Sequence, residues 1–196
     1  MKIFLIALGV VVVLGLSYFF WTKSVYNDLV RKDETVKAKW GNVQGQYQRR
    51  SDLIPNLVAT VKGAANFEKS TLVDVVNARA KATSIQVDPN QLTPENIQKY
   101  QAAQGQLSTA LGRLLVASEK YPDLKASQNF NDLQASIEGT ENRIAVARGD
   151  FNGAVQDFNI LVRSWPASIV ANNNGFGIKG SFSADESAQA PPKVSF

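Results

Sequence analysis

Two arginines, an aspartate, a proline and an asparagine are packed into the run Gln48-Arg49-Arg50-Ser51-Asp52-Leu53-Ile54-Pro55-Asn56-Leu57-Val58. Guanidinium groups hold carboxylates, other anions and backbone carbonyls, so this run could pair with acids inside a bundle, meet a partner protein or hold an anionic group. The apolar residues around it fall at Val36, Trp40, Val43, Tyr47, Ile54, Leu57 and Val61, in steps of four and three apart from one gap of seven. Arg50 fills the gap, which puts a charge in line with an apolar helical seam. If a bundle closes over that seam, the guanidinium needs an anionic or carbonyl partner, because an unpaired buried charge costs several kcal/mol. Glu68 is too far along a straight helix to serve, so the partner is expected from the acidic stretch around Glu138 and Glu141. Arg50→Ala and Arg50→Met are then expected to cost about the same. Continuing the seam places Glu68 on it, and Arg79 joins if the stripe slips by one residue near Leu72.

The candidate interaction or structural polar positions are therefore Arg49, Arg50, Asp52, Asn56, Lys62, Glu68, Arg79, Glu141 and Arg148. Two uses compete for them. They can form ion pairs inside the bundle that fix helix register, or Arg49, Arg50, Asp52, Asn56 and Lys62 can form a recognition surface. Catalysis has little to work with. Cysteine and histidine are both absent, which removes a thiolate nucleophile, the commonest metal ligand and the best acid–base group near neutral pH. A di-metal bundle site would want Glu-x-x-His motifs. Nothing in the spacing brings Glu68 and Glu141 together as a carboxylate pair. A nucleophile elbow and a phosphate-cradling glycine loop are also missing. The expectation is a protein that is not an enzyme and holds no cofactor or metal.

The elements that must position these residues start with Ile3 to Trp21, an almost uninterrupted apolar run closed by Tyr18-Phe19-Phe20-Trp21. Roughly 20 such residues cross a bilayer as a helix. The bulky aromatic end suits a membrane interface better than the small residues of a signal-peptide cleavage site, so an uncleaved anchor is expected. Lys23, Arg31, Lys32, Lys37 and Lys39 follow it, against Lys2 and the terminal amine before it. The positive-inside rule then favours a single-pass protein of the cytoplasmic (inner) membrane with its C-terminal domain in the cytoplasm, the opposite side staying open. The net charge of +4 is spread among interleaved acids, so nucleic acid is not an expected partner.

Three domains are expected: 1–22 as transmembrane anchor, 23–166 as helical domain and 167–196 as irregular tail, with Phe176, Phe182 and Phe196 able to tack it down. Helical spacing runs from about Ser24 to Ala82, with Pro55 read as a kink because the apolar phase continues across it. Asp88-Pro89-Asn90 marks a turn, and Thr93-Pro94-Glu95 opens a second helix to about Ser118. The third runs from about Ser127 to Arg163 on a stripe of Phe130, Leu133, Ile137, Ile144, Phe151, Val155, Phe158 and Val162. The fold class is all-α. It is an antiparallel up-and-down helical bundle of three helices, or four if the first breaks at Pro55 or Gly63, the first very long and preceded by one transmembrane helix.

The sequence resembles the LemA family. Its matching residues are Tyr26-Asn27, Leu29-Val30, Trp40, the Arg49-to-Val58 run with Val61-Lys62, Glu68, Ala78-Arg79-Ala80, Tyr121-Pro122-Asp123-Leu124, and Gly139-Thr140-Glu141-Asn142-Arg143-Ile144 with Ala147-Arg148. Phe151-Asn152 and Trp165-Pro166 depart slightly, where such proteins tend to have Tyr-Asn and Phe-Pro. The resemblance implies a membrane helix followed by an up-and-down bundle and implies no established activity. Two functions remain: a membrane-anchored scaffold or adaptor of the bacterial envelope that binds another protein, or a small anionic ligand binder or enzyme using the Arg49/Arg50/Lys62 region. Expected partners are the bilayer through residues 3–21 and a protein, with homo-oligomers also open because long seams can pair between copies.

Overall fold

The computed structural model describes residues 2–63 and 67–183, and the regular structure in them is all helical. In chain order the helices are α1 (Lys2–Lys62), α2 (Lys69–Ser84), α3 (Pro94–Ser118), α4 (Pro122–Lys125), α5 (Gln128–Arg163) and α6 (Ala167–Asn173). The apolar run and the first bundle helix are one helix. No proline occurs before Pro55, and the apolar run gives way to a stretch stitched by Lys37 with Asp33 and Glu34 one turn back.

From Leu29 onward α1 buries Val36, Trp40, Val43, Tyr47, Arg50, Ile54, Leu57 and Val61. Their average spacing near 3.5 residues keeps the seam facing α5, which answers with Phe130, Ile137, Ile144, Phe151, Val155, Phe158 and Val162. The two helices run antiparallel in a steady register. Lys32 pairs with Asp157, Lys39 with Asp150 and Arg50 with Glu141. The helix passes through Pro55 and keeps its phase, as Ile54, Leu57 and Val61 are all buried.

The first helix does not reach Ala82. It ends at Lys62, and α2 begins at Lys69 and packs on α3, so the break falls at Gly63 rather than Pro55, and the short α4 and α6 bring the helices among the described residues to six. Thr93 caps α3 by accepting from the Asn96 N–H. The core forms two clusters: one around Trp40, Tyr100, Phe151 and Phe158, and one around Ile54, Leu107, Leu114 and Phe130. Arg50 lies on α1 between the residues that belong to each.

The segment after Pro166 is more ordered than an irregular tail. α6 buries Ala167, Val170 and Ala171, and Phe182 is buried beside Trp40 and Phe151. Phe176 meets Tyr26 and Phe158 edge to face. Phe196 lies outside the described residues.

Candidate functional site

Arg50 is 1% exposed, and its guanidinium is held from three directions. Nη1 donates to Ser108 Oγ at 2.7 Å and to Glu141 Oε1 at 2.8 Å. Nη2 donates to Gln104 Oε1 at 2.6 Å and to the Gln104 carbonyl at 3.2 Å. The Tyr47 ring lies 5.0 Å from the guanidinium carbon. Gln104 Nε2 donates in turn to the Ala82 carbonyl at the end of α2, so one charge ties α1, α2, α3 and α5 together. Among the described residues Glu141 is the acid paired with Arg50, and it is itself 38% exposed. Burial pushes the nearby Tyr100 hydroxyl above the usual phenol range, and Tyr47 adds to this. Arg50 and a hydrogen bond with Gln104 pull the other way.

Pro55 explains a second arginine. It has no N–H to give the Ser51 carbonyl four residues back, which would leave that acceptor unpaired in the helix. Arg79 Nε, from α2, donates to that same carbonyl at 2.9 Å. Proline inside the helix and arginine on the next one are therefore two halves of one contact.

The remaining candidate positions do not gather. Arg49, Asp52 and Asn56 share one exposed face of α1, with Asp52 accepting from Gln48 at 2.7 Å. Lys62 is exposed in the last turn of α1, on a different face. Glu68 does not join the seam. It lies beyond the break, exposed at the start of α2, where it accepts from Thr71. Arg148 bonds the Ser183 carbonyl at 2.9 Å and stacks on Phe182. Among the described residues no group of three or more Asp or Glu side chains is placed to hold a metal ion.

A clamp on the C-terminal segment lies outside the sequence-predicted positions. Asn159 bonds both the N–H and the carbonyl of Lys179, each at 2.8 Å, and Asn152 does the same for Phe182 at 2.8 and 2.9 Å. Seven helical residues rise about 10.5 Å, and three extended residues cover about 10 Å, so the two spacings match. The signal was present as Phe151-Asn152 and Phe158-Asn159, a buried ring followed by an amide, repeated at seven residues. Lys179 reaches on to Asp33 at 2.7 Å, and Lys37 meets the same carboxylate at 2.8 Å. Burial works to raise the Asp33 pKa, but the hydrogen bonds from Lys179 and Lys37 outweigh it and hold the group below its usual range.

Beside Arg50 a polar cleft of about 170 Å³ is lined by Gln44, Gln48, Ser51, Thr83, Tyr100 and Gln104, among others. Ser51 Oγ is buried there without a protein partner, as is Arg50 Nε on the next residue back.

A family model described as LemA family matches residues 39–196. The chain is 29% identical over 188 residues to the magnetosome protein MamQ 1 of Paramagnetospirillum magneticum, covering 87% of this chain and 69% of that one. It is 28% identical over 182 residues to the magnetosome protein MamQ of Magnetospirillum gryphiswaldense, covering 84% and 67%. To the protein LemA of Metamycoplasma hominis it is 25% identical over 168 residues, covering 86% and 73%. Among the described residues one helix, α1, is long and apolar enough near the N-terminus to cross a membrane, which fits a membrane protein. With the model matching most of its length, the chain belongs to the LemA family.

Proposed function

We propose that this protein is a membrane-anchored helical scaffold that crosses the bilayer once through residues 3–21 and presents its bundle to a partner protein. The observation that carries the reading is the continuity of α1. The same helix that supplies the apolar run supplies half of the main helix–helix seam, so a membrane span would hold the bundle upright with no joint between them. Residues 2–20 are exposed in this fold, as a segment meant for lipid would be. The exposed face of Arg49, Asp52 and Asn56 is where we place the partner contact.

The competing reading, an anionic ligand held by Arg49, Arg50 and Lys62, needs three cations converging on one cleft. Arg49 and Lys62 face solvent on different sides of α1, while Arg50 turns inward onto protein groups. The test is photo-crosslinking in native membranes from Asp52, with the far face of α5 at Asn142 as control, after alkaline carbonate extraction. Retention of the intact chain and a protein captured from Asp52 but not from Asn142 is the expected result. Release by carbonate sinks the anchor, and equal capture from both faces sinks the recognition face.

A further inference from the structure

We infer that the corner between α5 and α6, built on Trp165 and Ile169, is a second membrane contact that seats the bundle on lipid headgroups. The inference rests on the bilayer anchor proposed above. Trp165 is 82% exposed and Ile169 45% exposed, beside a turn whose neighbours Ala167, Val170 and Ala171 are buried. Tryptophan is usually well covered, and its ring suits an interface where one side is apolar and the other wet.

The register of the bundle says where this corner lies. In the pairs Lys32–Asp157, Lys39–Asp150 and Arg50–Glu141 the two residue numbers total 189 to 191, so position 165 falls opposite positions 24 to 26 of α1. The contacts there agree. Trp21 and Val25 pack on the same core cluster as Val162 and Val170, and Tyr26 meets Phe176 just past α6. Trp21 closes the apolar run. Three to five helical residues rise about 5 to 8 Å, which is about the depth of one headgroup layer beyond the hydrocarbon. A helix leaving the bilayer at Trp21 therefore carries Trp165 at headgroup height, on the flank of the bundle rather than on its axis. Lys23 and Arg163 are exposed at the same level and can face lipid phosphates.

Such a contact gives the bundle two points of attachment, one through the bilayer and one on its surface, which fixes its tilt and its rotation about α1. The occupant follows from this continuity: a partner protein at this corner would have to share the headgroup layer.

The native chain has no cysteine, so single cysteines can carry a spin label in the full-length protein. The protein is reconstituted into vesicles of phosphatidylcholine and phosphatidylglycerol. Labels go at Phe20→Cys in the apolar run, Ile169→Cys at the corner and Lys120→Cys in the turn after α3. Relative accessibility to oxygen and to a water-soluble nickel complex gives the depth of each. Ile169→Cys should read between the other two, at interfacial depth, and adding Trp165→Ser should shift it toward the Lys120→Cys value. Ile169→Cys as water-exposed as Lys120→Cys, with Phe20→Cys in lipid, overturns the inference and leaves the anchor standing. Phe20→Cys in water overturns both. An unchanged Ile169→Cys depth in the Trp165→Ser background removes Trp165 as the contact. A circular dichroism spectrum matching the parent confirms that the substitution at this exposed site leaves the bundle folded.

Discussion

Replacing Arg50 separates the two ways a buried guanidinium can stabilise a bundle, by filling space and by satisfying polar groups. Arg50→Ala empties a side chain that is 1% exposed, and truncating a large buried side chain to alanine costs about 2–5 kcal/mol. It also leaves Gln104 Oε1, on a residue only 6% exposed, without its donor, which costs about 1–3 kcal/mol. Glu141 adds little, because a carboxylate 38% exposed turns to water once its partner is gone, an effect of about 0–1 kcal/mol. Part of the cavity cost is recovered by collapse into the neighbouring cleft, so the total expected is about 3–5 kcal/mol.

Arg50→Met keeps most of the volume and loses the hydrogen bonds and the part-exposed ion pair with Glu141, so it should cost about 1–3 kcal/mol. The reading from sequence alone made the two substitutions equal, on the assumption that the partner acid would be stranded in the interior. The exposure of Glu141 removes that assumption. Arg50→Met with Gln104→Leu, which removes both the donor and the buried acceptor, should recover part of the Met loss, the remainder being the Gln104 bond to the Ala82 carbonyl that the leucine cannot make. The assay is urea unfolding of a chain beginning at Ser24, followed by far-UV circular dichroism. A loss below about 1 kcal/mol for Arg50→Ala would mean an arginine that water can replace and would falsify the network argument. A Met variant as unstable as the Ala variant would show that Glu141 is not free to hydrate.

Three further outcomes follow from single contacts. Pro55→Ala restores an N–H for the Ser51 carbonyl, so it should lessen the loss caused by Arg79→Ala, with a coupling of about 1 kcal/mol in a double-mutant cycle; additive effects would separate the proline from the arginine. Asp33 has its pKa lowered in the fold, so its contribution is present above the unfolded value, about 3.9, and is lost as pH falls through the folded value. Asp33→Asn should therefore cost stability at neutral pH and flatten the fall in stability below about pH 4; an unchanged acid limb in a pH series of melts would refute it. A Cβ at Gly180 would sit 2.5 Å from Pro94 Cα, so Gly180→Ala should displace the 179–183 segment and speed proteolysis after it, while a cleavage rate equal to the parent's would show that the backbone can yield.

What the sequence disclosed and what it hid divide along a physical line. A seam is a periodic property of one helix, so Trp40, Tyr47, Ile54 and the odd position of Arg50 could be read by counting. The charge on Arg50 limited its partner to an acid or a carbonyl, and the antiparallel return of the last long helix put Glu141 within range. Gln104 and Ser108 carry no such mark. Neutral amides and hydroxyls are common on helix surfaces, and only the packing of α3 against the seam buries Gln104 and sets the exposed Ser108 within reach of Arg50. Glu68 failed for a related reason: a count along a helix has no meaning past the point where the helix ends, and the break after Lys62 resets it. The clamp on the tail is the most instructive omission, because it pairs a spacing of seven on a helix with a spacing of three on an extended segment. Each spacing is visible alone, and their equality of length is a fact about rise per residue rather than about residue type. Such matched lengths between an amide-bearing helix edge and a later aperiodic segment leave no mark in composition or periodicity. Here they make residues 179–183 structure rather than tail, and the carboxylate of Asp33 the anchor of Lys179 rather than an ordinary surface acid.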